Sequence, residues 1–492
     1  MPNTFTAQPV AFEPVIGLEF HVQLATASKV FCGCATDGSA GPNSRTCPVC
    51  LGLPGALPVL NDRAVDLAVT AALALGSTVA RTSVFARKHY FYPDLPKGYQ
   101  ITQFDRPLST GGALAWTSEG QRRGVRLVRI HLEEDAGKSL HDGVGDPERR
   151  AALDFNRSGV PLIEIVTEPD LRSATDGAEC FRRLRALLVS LGVTDGNMEQ
   201  GGLRCDANVS VRAVGADALG ARTEIKNLNS FRFLERALAF EAARQVDVVR
   251  SGGAVTSDTR LWDEAAGRTV VMRAKESADD YRYFPEPDLP PLVIDPARLD
   301  RLRALMPEAP DHRRDRFVAQ YGLGQDDAAA LASAPDMARY FESVAMAAGD
   351  GPAAAVWVRG ELTRRLHERG ESITALRVTP EALARLIALV AGGAVSSSAA
   401  KQMLGRMAES GASADEIAAS DGLLQDSDER AMTDLVAQTL ARFPEQVRQF
   451  RSGKRAVALF LVGQVMKASA GRANPVMADR LVRAHLESGA TS

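Results

Sequence analysis

The 492-residue chain has no apolar run long enough to cross a bilayer. Its longest, near Val65–Leu75 and Ala456–Val462, fall short of the roughly 18 residues a span requires, so no membrane helix is expected. The opening stretch MPNTFTAQPVAFEP lacks the basic and apolar layout of a signal peptide. Cysteine is scarce, with six in all, which excludes a disulfide-stapled secreted scaffold. A large excess of positive charge is missing too. The formal net charge is -3, so any nucleic-acid contact must come from a local patch. No GxGxxG is present. Gly137-Lys138-Ser139 ends like a phosphate-binding loop, but Leu132 stands where that loop needs glycine. These absences predict a cytoplasmic protein with reduced thiols and neither of the common nucleotide-binding loops. Apolar content of 45% and charged content of 24% are ordinary for a globular chain, and the length accommodates two to four domains.

What is present begins at Gly17–Leu24. Leu18, Phe20, Val22 and Leu24 alternate with Glu19, His21 and Gln23, the period of a half-buried strand. A carboxylate, an imidazole and an amide in a row suit a metal or a polar substrate better than plain solvent. The pattern returns four times. Arg129, His131 and Glu133 share one face, with Glu134 and Asp135 closing the strand. Glu164 and Glu168 lie on one side of a third strand, within Leu162–Glu168. Over Leu203–Arg212, the residues Arg204, Asp206, Asn208, Ser210 and Arg212 oppose Leu203, Cys205, Ala207, Val209 and Val211. Arg222, Glu224 and Lys226 complete the series. Five such strands predict one sheet whose polar side forms a substrate basin. Helices starting at Asn61, around Phe181–Leu191 and from Asn229 or Ser230 to Gly252 are expected to cover its apolar side. The fold class is therefore α+β.

Cys32 and Cys34, then twelve residues, then Cys47 and Cys50 match the paired spacing of a closed tetrahedral zinc site, with four incidental buried cysteines as the alternative. Such a site has no open position for chemistry, so the zinc would be structural. Cys180 and Cys205 read as core residues. The stretch Arg87–Gln100 crowds aromatic, basic and proline residues. There Tyr92 and Lys97 can stack on a base or reach a phosphate, or the loop is a rigid surface feature with packed aromatics.

A proline-rich stretch after Asp279–Asp288 marks a domain boundary near Asp295. Beyond it the periodicity is helical, with a small-residue joint at Val395–Lys401. We therefore expect domains at 1–295, 296–395 and 396–492. Between Arg442 and Arg483 nine basic residues face two acidic ones. Lys454, Arg455, Lys467 and Arg472 bracket the apolar run Ala456–Met466, either as an RNA-backbone contact or as a solvated helix face.

The strings GLEFHVQL, CPVCLGLPG, RKHYFYPDLPKGYQ, HLEEDAGK, DFNRSGVPLIEIVTEPDLRS, GGLRCDANVSVR, EIKNLNSF, DDYRYFPEPDLPPL and FLVGQVMKASAGRANP together resemble the B subunit family of the bacterial tRNA-dependent amidotransferase. The likeness runs in order along nearly the whole chain, although Phe20 stands where the family more often has valine. It implies a cradle-like catalytic domain with a mainly antiparallel sheet, then a helical domain and a small helical tail that binds tRNA. The implied reaction uses ATP and Mg²⁺ to phosphorylate the side-chain carboxylate of Glu-tRNA(Gln) or Asp-tRNA(Asn), after which ammonia displaces phosphate. Carried over by motif, the catalytic metal centre falls on His21, Glu134 and Glu164 with Glu19 nearby, and Glu133 and Glu168 would serve a second Mg²⁺. Arg204, Asp206, Asn208 and Lys226 would meet the nucleotide or the aminoacyl end. No amidase signature is visible, so the resemblance implies a glutaminase A subunit as ammonia source and a small C subunit joining the two. The rival readings are an aminoacyl-tRNA synthetase, which lacks support from any HIGH- or KMSKS-type loop, and a zinc-stapled tRNA scaffold without chemistry of its own.

Overall fold

The computed structural model describes residues 10–37, 41–118, 120–140, 150–274, 278–424, 429–469 and 473–488. It divides into two compact units, Met1–Ala309 and Pro310–Ser492. The first unit carries the strands β1 (Phe12–Gln23), β2 (Ala86–His89), β3 (Tyr99–Thr102), β4 (Gln121–Glu134), β5 (Pro161–Thr167), β6 (Leu203–Ala213), β7 (Thr223–Leu228), β8 (Asp258–Asp263) and β9 (Arg268–Ala274). Its longer helices are α1 (Asp62–Ala74), α2 (Ala174–Ser190), α3 (Phe231–Arg250) and α4 (Pro296–Leu305).

One ten-stranded sheet dominates. Its order is β9-β8-β7-β6-β1-β5-β4, followed by the short strands Ser109–Thr110 and Thr78–Val79, while Ala113–Ser118 also pairs with β4. The pairings are antiparallel except β7 with β8. The five strands expected from alternation, β1, β4, β5, β6 and β7, are contiguous in it. This confirms the α+β class, with β1 at the centre.

Alternation sorts the strands into two faces. On β1, Leu18, Phe20 and Val22 are at most 1% exposed. Phe20 packs on Phe181 of α2 with ring centroids 5.3 Å apart, and Phe181 meets Phe231 of α3 edge-on at 5.0 Å. Burying one such side chain contributes about 1.5–3 kcal/mol, so this face fixes strand register. Phe20 thus fills a position where valine would leave the ring of Phe181 less well covered. Helices α2 and α3 approach closely at Gly177, where an added Cβ would come within 2.6 Å of Leu238 Cδ1. The predicted caps hold: the Asn61 side chain accepts from the backbone of Arg63 and Ala64, and the Ser230 side chain from Phe233.

The proline-rich stretch near Asp295 precedes the break between units. Helix α4 stays with the first unit because Arg298 bonds Asp66 (2.7 Å) and Asp62 (2.8 Å) of α1. The second unit is helical among its described residues. It contains one apolar core running from Phe317 to Ala418 and another from Met432 to Leu486. The small-residue stretch at Val395–Lys401 is a helix start, with Ser396 capping Ser397–Ser410. No helix among the described residues is long and apolar enough to cross a membrane.

Candidate functional site

The polar face of the large sheet forms the floor of a basin of about 670 Å³, lined by His21, Lys88, Glu133, Asp135, Arg157, Arg204, Asp206 and Lys226 among others. Register puts Arg204, His21, Glu164 and His131 in one row across β6, β1, β5 and β4. Side chains opposite one another on an antiparallel sheet share a face, so four polar groups contributed by four strands meet there.

His21, Glu133 and Glu164 each offer a donor atom within 4.8 Å of the other two. His21 Nε2 lies 3.6 Å from Glu164 Oε2 and 3.9 Å from Glu133 Oε1. His131 Nε2 lies 3.4 Å from Glu133 Oε2 and 3.5 Å from Glu164 Oε2. Burial disfavours the imidazolium of His21, but the hydrogen bond and charge of Glu164, then the charges of Glu133 and Asp206, outweigh it and raise its pKa to about 9. Burial likewise works against the Glu164 carboxylate, yet the charge His131 carries when protonated at low pH, the His21 hydrogen bond and Lys88 hold it well below its ordinary range. Glu133 is also held low, against burial, chiefly by its hydrogen bond with His131. Two carboxylates and an imidazole at this spacing fit a small hard cation that retains waters, and the protein itself supplies a proton on His21 as the substitute charge.

Glu134 follows Glu133 on β4 and therefore points to the other face. There it is buried in an ion pair with Lys97, and its Oε1 accepts the Ile101 backbone N–H at 2.8 Å. Lys97, which is only 5% exposed, is thus committed to Glu134 and does not line the basin. It also packs against Gly52, where a Cβ would lie 2.2 Å from Lys97 Cγ, so the chain needs glycine there. Tyr92 is 45% exposed and meets Tyr90 edge-on at 5.9 Å. Glu19 accepts from the Asn208 amide at 2.8 Å. Along with Arg129, Glu168 and Arg222 these two line a second hollow of about 450 Å³. Glu19 and Glu168 therefore share the polar face with the metal-donor trio but stand outside it. Asp206 and Lys226 are paired at 2.7 Å, and Arg204 bonds Asp135 at 2.9 Å.

Other residues reach the basin too, Asp135 from the acidic end of β4 and the rest from segments that alternation did not single out. Asp135 accepts from Gln23 at 2.9 Å and from Arg204, and Arg157 Nε lies 3.7 Å away. Arg157 sits in an irregular loop, anchored by bonds to the carbonyls of Ala136 (3.0 Å) and Gly137 (2.6 Å), so no periodicity marks it. Lys88 and Tyr90 come from the aromatic-basic stretch, which pairs as β2 with β3. The distant Phe284–Pro285 adds a third strand. Arg87 fastens that addition by a bidentate bond to the buried Glu286 (2.7 and 2.8 Å) and stacks over Tyr99 at 4.2 Å. Lys88 Nζ lies 4.6 Å from the Tyr281 ring centroid. The tyrosine-rich motif at 281–284 is thus built into the wall beside the basin.

Cys32, Cys34, Cys47 and Cys50 also gather, with all four sulfurs within 4.8 Å of one another. The Cys47 and Cys50 sulfurs are 3.9 Å apart. Four zinc–thiolate bonds of about 2.3 Å at tetrahedral angles would set neighbouring sulfurs about 3.8 Å apart, so the cluster fits a closed metal site. Lys29, fully buried, donates to the carbonyls of Arg45 (2.7 Å) and Phe155 (3.3 Å) and faces Cys50 Sγ at 3.6 Å. The Cys32 hydrogen bond, then the Cys47 N–H and the Lys29 charge, hold the Cys50 thiol low against burial. A buried ammonium beside it favours the thiolate of Cys50, while the hydrogen bond to Cys50 and burial push the Cys32 thiol up. Cys180 and Cys205 lie in the apolar core, as expected.

In the second unit, Lys454, Arg455 and Lys467 are exposed around the helix Val457–Ala468, with Arg455 resting over Phe450 at 4.7 Å. Arg472 lies outside the described residues.

Comparison with known proteins shows the family. Residues 14–300 match the model of the GatB/GatE catalytic domain, and 339–486 match the GatB domain. The chain is 50% identical over 479 residues to the B subunit of the aspartyl/glutamyl-tRNA(Asn/Gln) amidotransferase of Anaeromyxobacter sp. (strain K), covering 96% of this chain and 99% of the relative. It belongs to the GatB family of amidotransferase subunits. The corresponding protein of Chlorobium phaeobacteroides (strain BS1) is 49% identical, covering 97% of this chain and all of the relative. That of Myxococcus xanthus (strain DK1622) is 50% identical, covering 96% and 98%. The catalytic-domain match of the family spans the sheet, the donor trio and the cysteine cluster, while the GatB-domain match covers the basic tail.

A metal ion bound through the neutral ring of His21, which the neighbouring carboxylates keep protonated up to about pH 9, would have to expel that proton. Mn²⁺ affinity is therefore expected to rise about tenfold per pH unit between pH 6.5 and 8. Titration of free Mn²⁺ by electron paramagnetic resonance checks this, and a flat profile would contradict it.

Proposed function

We propose that this chain is the subunit of a tRNA-dependent amidotransferase that activates and amidates the aminoacyl group. ATP transfers its γ-phosphoryl group to a side-chain carboxylate oxygen of Glu-tRNA(Gln) or Asp-tRNA(Asn), giving an acyl phosphate and ADP. Ammonia then attacks the acyl carbon, the C–O bond to phosphate breaks, and the nitrogen loses a proton to leave the amide. The first step is needed because a carboxylate oxygen is otherwise too poor a leaving group for ammonia to displace. The observation that carries the reading is the trio His21, Glu133 and Glu164, of which His21 and Glu133 line a basin ringed by Lys88, Arg157, Arg204 and Lys226.

Phosphoryl transfer is chiefly a matter of position and charge. Mg²⁺ held by the trio would offset the charge of the phosphates being transferred. Lys88, Arg157, Arg204 and Lys226 bring four cations to the same hollow. All but Lys88 have a carboxylate within 4 Å that keeps the cation in place until substrate arrives. Asp206 and Asn208 carry the polar face onward from the trio to the second hollow, so one continuous floor serves nucleotide and aminoacyl end. The cysteine cluster would hold structural zinc, which has no open position and takes no part in the reaction. Ammonia would come from a glutaminase A subunit, with a small C subunit completing a heterotrimer in the cytoplasm. The relatives' names support the two tRNA substrates.

Glu164→Ala in the assembled complex should abolish tRNA-dependent ATP hydrolysis supported by ammonium chloride, by at least about a thousandfold, while tRNA affinity changes little. Phosphate release that persists in the variant would move the chemistry off this floor. The exposed tail cations Lys454, Arg455 and Lys467 would meet the RNA backbone. Replacing Lys454 and Arg455 by glutamine should weaken tRNA binding and make its logarithmic salt slope shallower by about 1 to 2. An unchanged slope would remove the tail from the interface.

A further inference from the structure

The metal-donor trio leaves one buried histidine without a role. His131 is 3% exposed and lies in register with Glu164, yet it stands outside the trio. Its two nitrogens are engaged differently. The Arg129 Nε–H faces Nδ1 at 3.4 Å, so that nitrogen accepts and the ring proton is directed to Nε2. Nε2 in turn sits between Glu133 Oε2 (3.4 Å) and Glu164 Oε2 (3.5 Å). Glu133 Oε2 also accepts from the Thr102 hydroxyl at 3.2 Å, while Glu133 Oε1 is the oxygen nearest His21. Arg129 completes the frame at 3.8 Å from Glu164 Oε1. One oxygen of Glu133 is therefore tied down from below, and the other is turned toward His21.

We propose that His131 is a positioning residue for the catalytic metal: its Nε2–H bridges Glu133 and Glu164 and orients both carboxylates, with His21, toward one ion. A ligand carboxylate tied by a neighbouring donor loses less freedom when it binds the ion, and removal of such a partner commonly costs 10- to 100-fold in metal affinity. Without the bridge, two buried carboxylates at this spacing repel and turn apart. Arg129 has the further task of keeping the ring in the tautomer that donates at Nε2. The inference rests on the metal-centre reading above.

The test is Mn²⁺ binding to the assembled complex, read from the free-ion electron paramagnetic resonance signal, for the wild type and three variants. His131→Met removes the donor and should weaken Mn²⁺ binding 10- to 100-fold. His131→Gln places an amide N–H at about the reach of Nε2 and should restore affinity to within about threefold of wild type. His131→Asn falls short and should resemble the methionine variant. Should the methionine variant fail to assemble, the glutamine and asparagine pair decides. Equal affinities in wild type and variants, or equal loss with glutamine and asparagine, would overturn the proposal. Manganese coupling to a second histidine nitrogen that vanishes in His131→Gln would make the residue a ligand and overturn it as well. If the wild-type complex binds no Mn²⁺ at all, the metal-centre reading itself fails, and that result is distinct from the others.

Discussion

Two carboxylates, Glu133 and Glu164, are buried within reach of the same two imidazoles, and their mutual repulsion constrains everything around them. At an effective dielectric constant of about 20, two like charges about 4 Å apart repel by about 4 kcal/mol. A fold keeps such a pair only where cations or hydrogen-bond donors offset it. Here the protein supplies the His21 imidazolium, the His131 N–H and the nearby Arg129 and Lys88. A divalent ion would replace the proton and hold the same oxygens more firmly. The site is thus built to accept positive charge, and phosphoryl transfer is a reaction that brings such charge with it.

The sheet makes that arrangement rigid. The carboxylates and imidazoles stand on three adjacent antiparallel strands, and on the opposite face of the central one Phe20 packs on Phe181, which in turn meets Phe231. A slip of one residue in any strand would exchange its charged and apolar faces, so the register that buries the core also aims the ligands. Around this floor the Arg87–Glu286 bond draws the tyrosine motif of 281–284 onto the aromatic-basic strands, and the Lys29-braced cysteine cluster anchors the loops beside them.

Alternation made this part of the molecule readable in advance. All five charged-face strands proved contiguous, with β1 central, because a period of two carries information about both faces at once. The same rule placed Glu133 with His131 and Arg129. Motif transfer pointed instead to Glu134, whose side chain turns to the other face and pairs with Lys97. Other features left no local trace. Arg157 is positioned by backbone carbonyls, and Glu286 meets Arg87 across 199 residues. Lys29 is an ordinary lysine in sequence and becomes a buried cation only when three loops close on it. In the helical half, apolar periodicity showed helices but not which of them share a core.

A catalytic metal held by His21, Glu133 and Glu164 on the polar face of the sheet would have one imidazole among its ligands. Electron–nuclear double resonance of Mn²⁺ bound to the assembled complex, made with ¹⁵N-histidine, measures this directly. Coupling to one histidine nitrogen is expected, lost in His21→Ala and retained in Glu134→Gln. Coupling that survives His21→Ala, or that disappears with Glu134 alone, would contradict it.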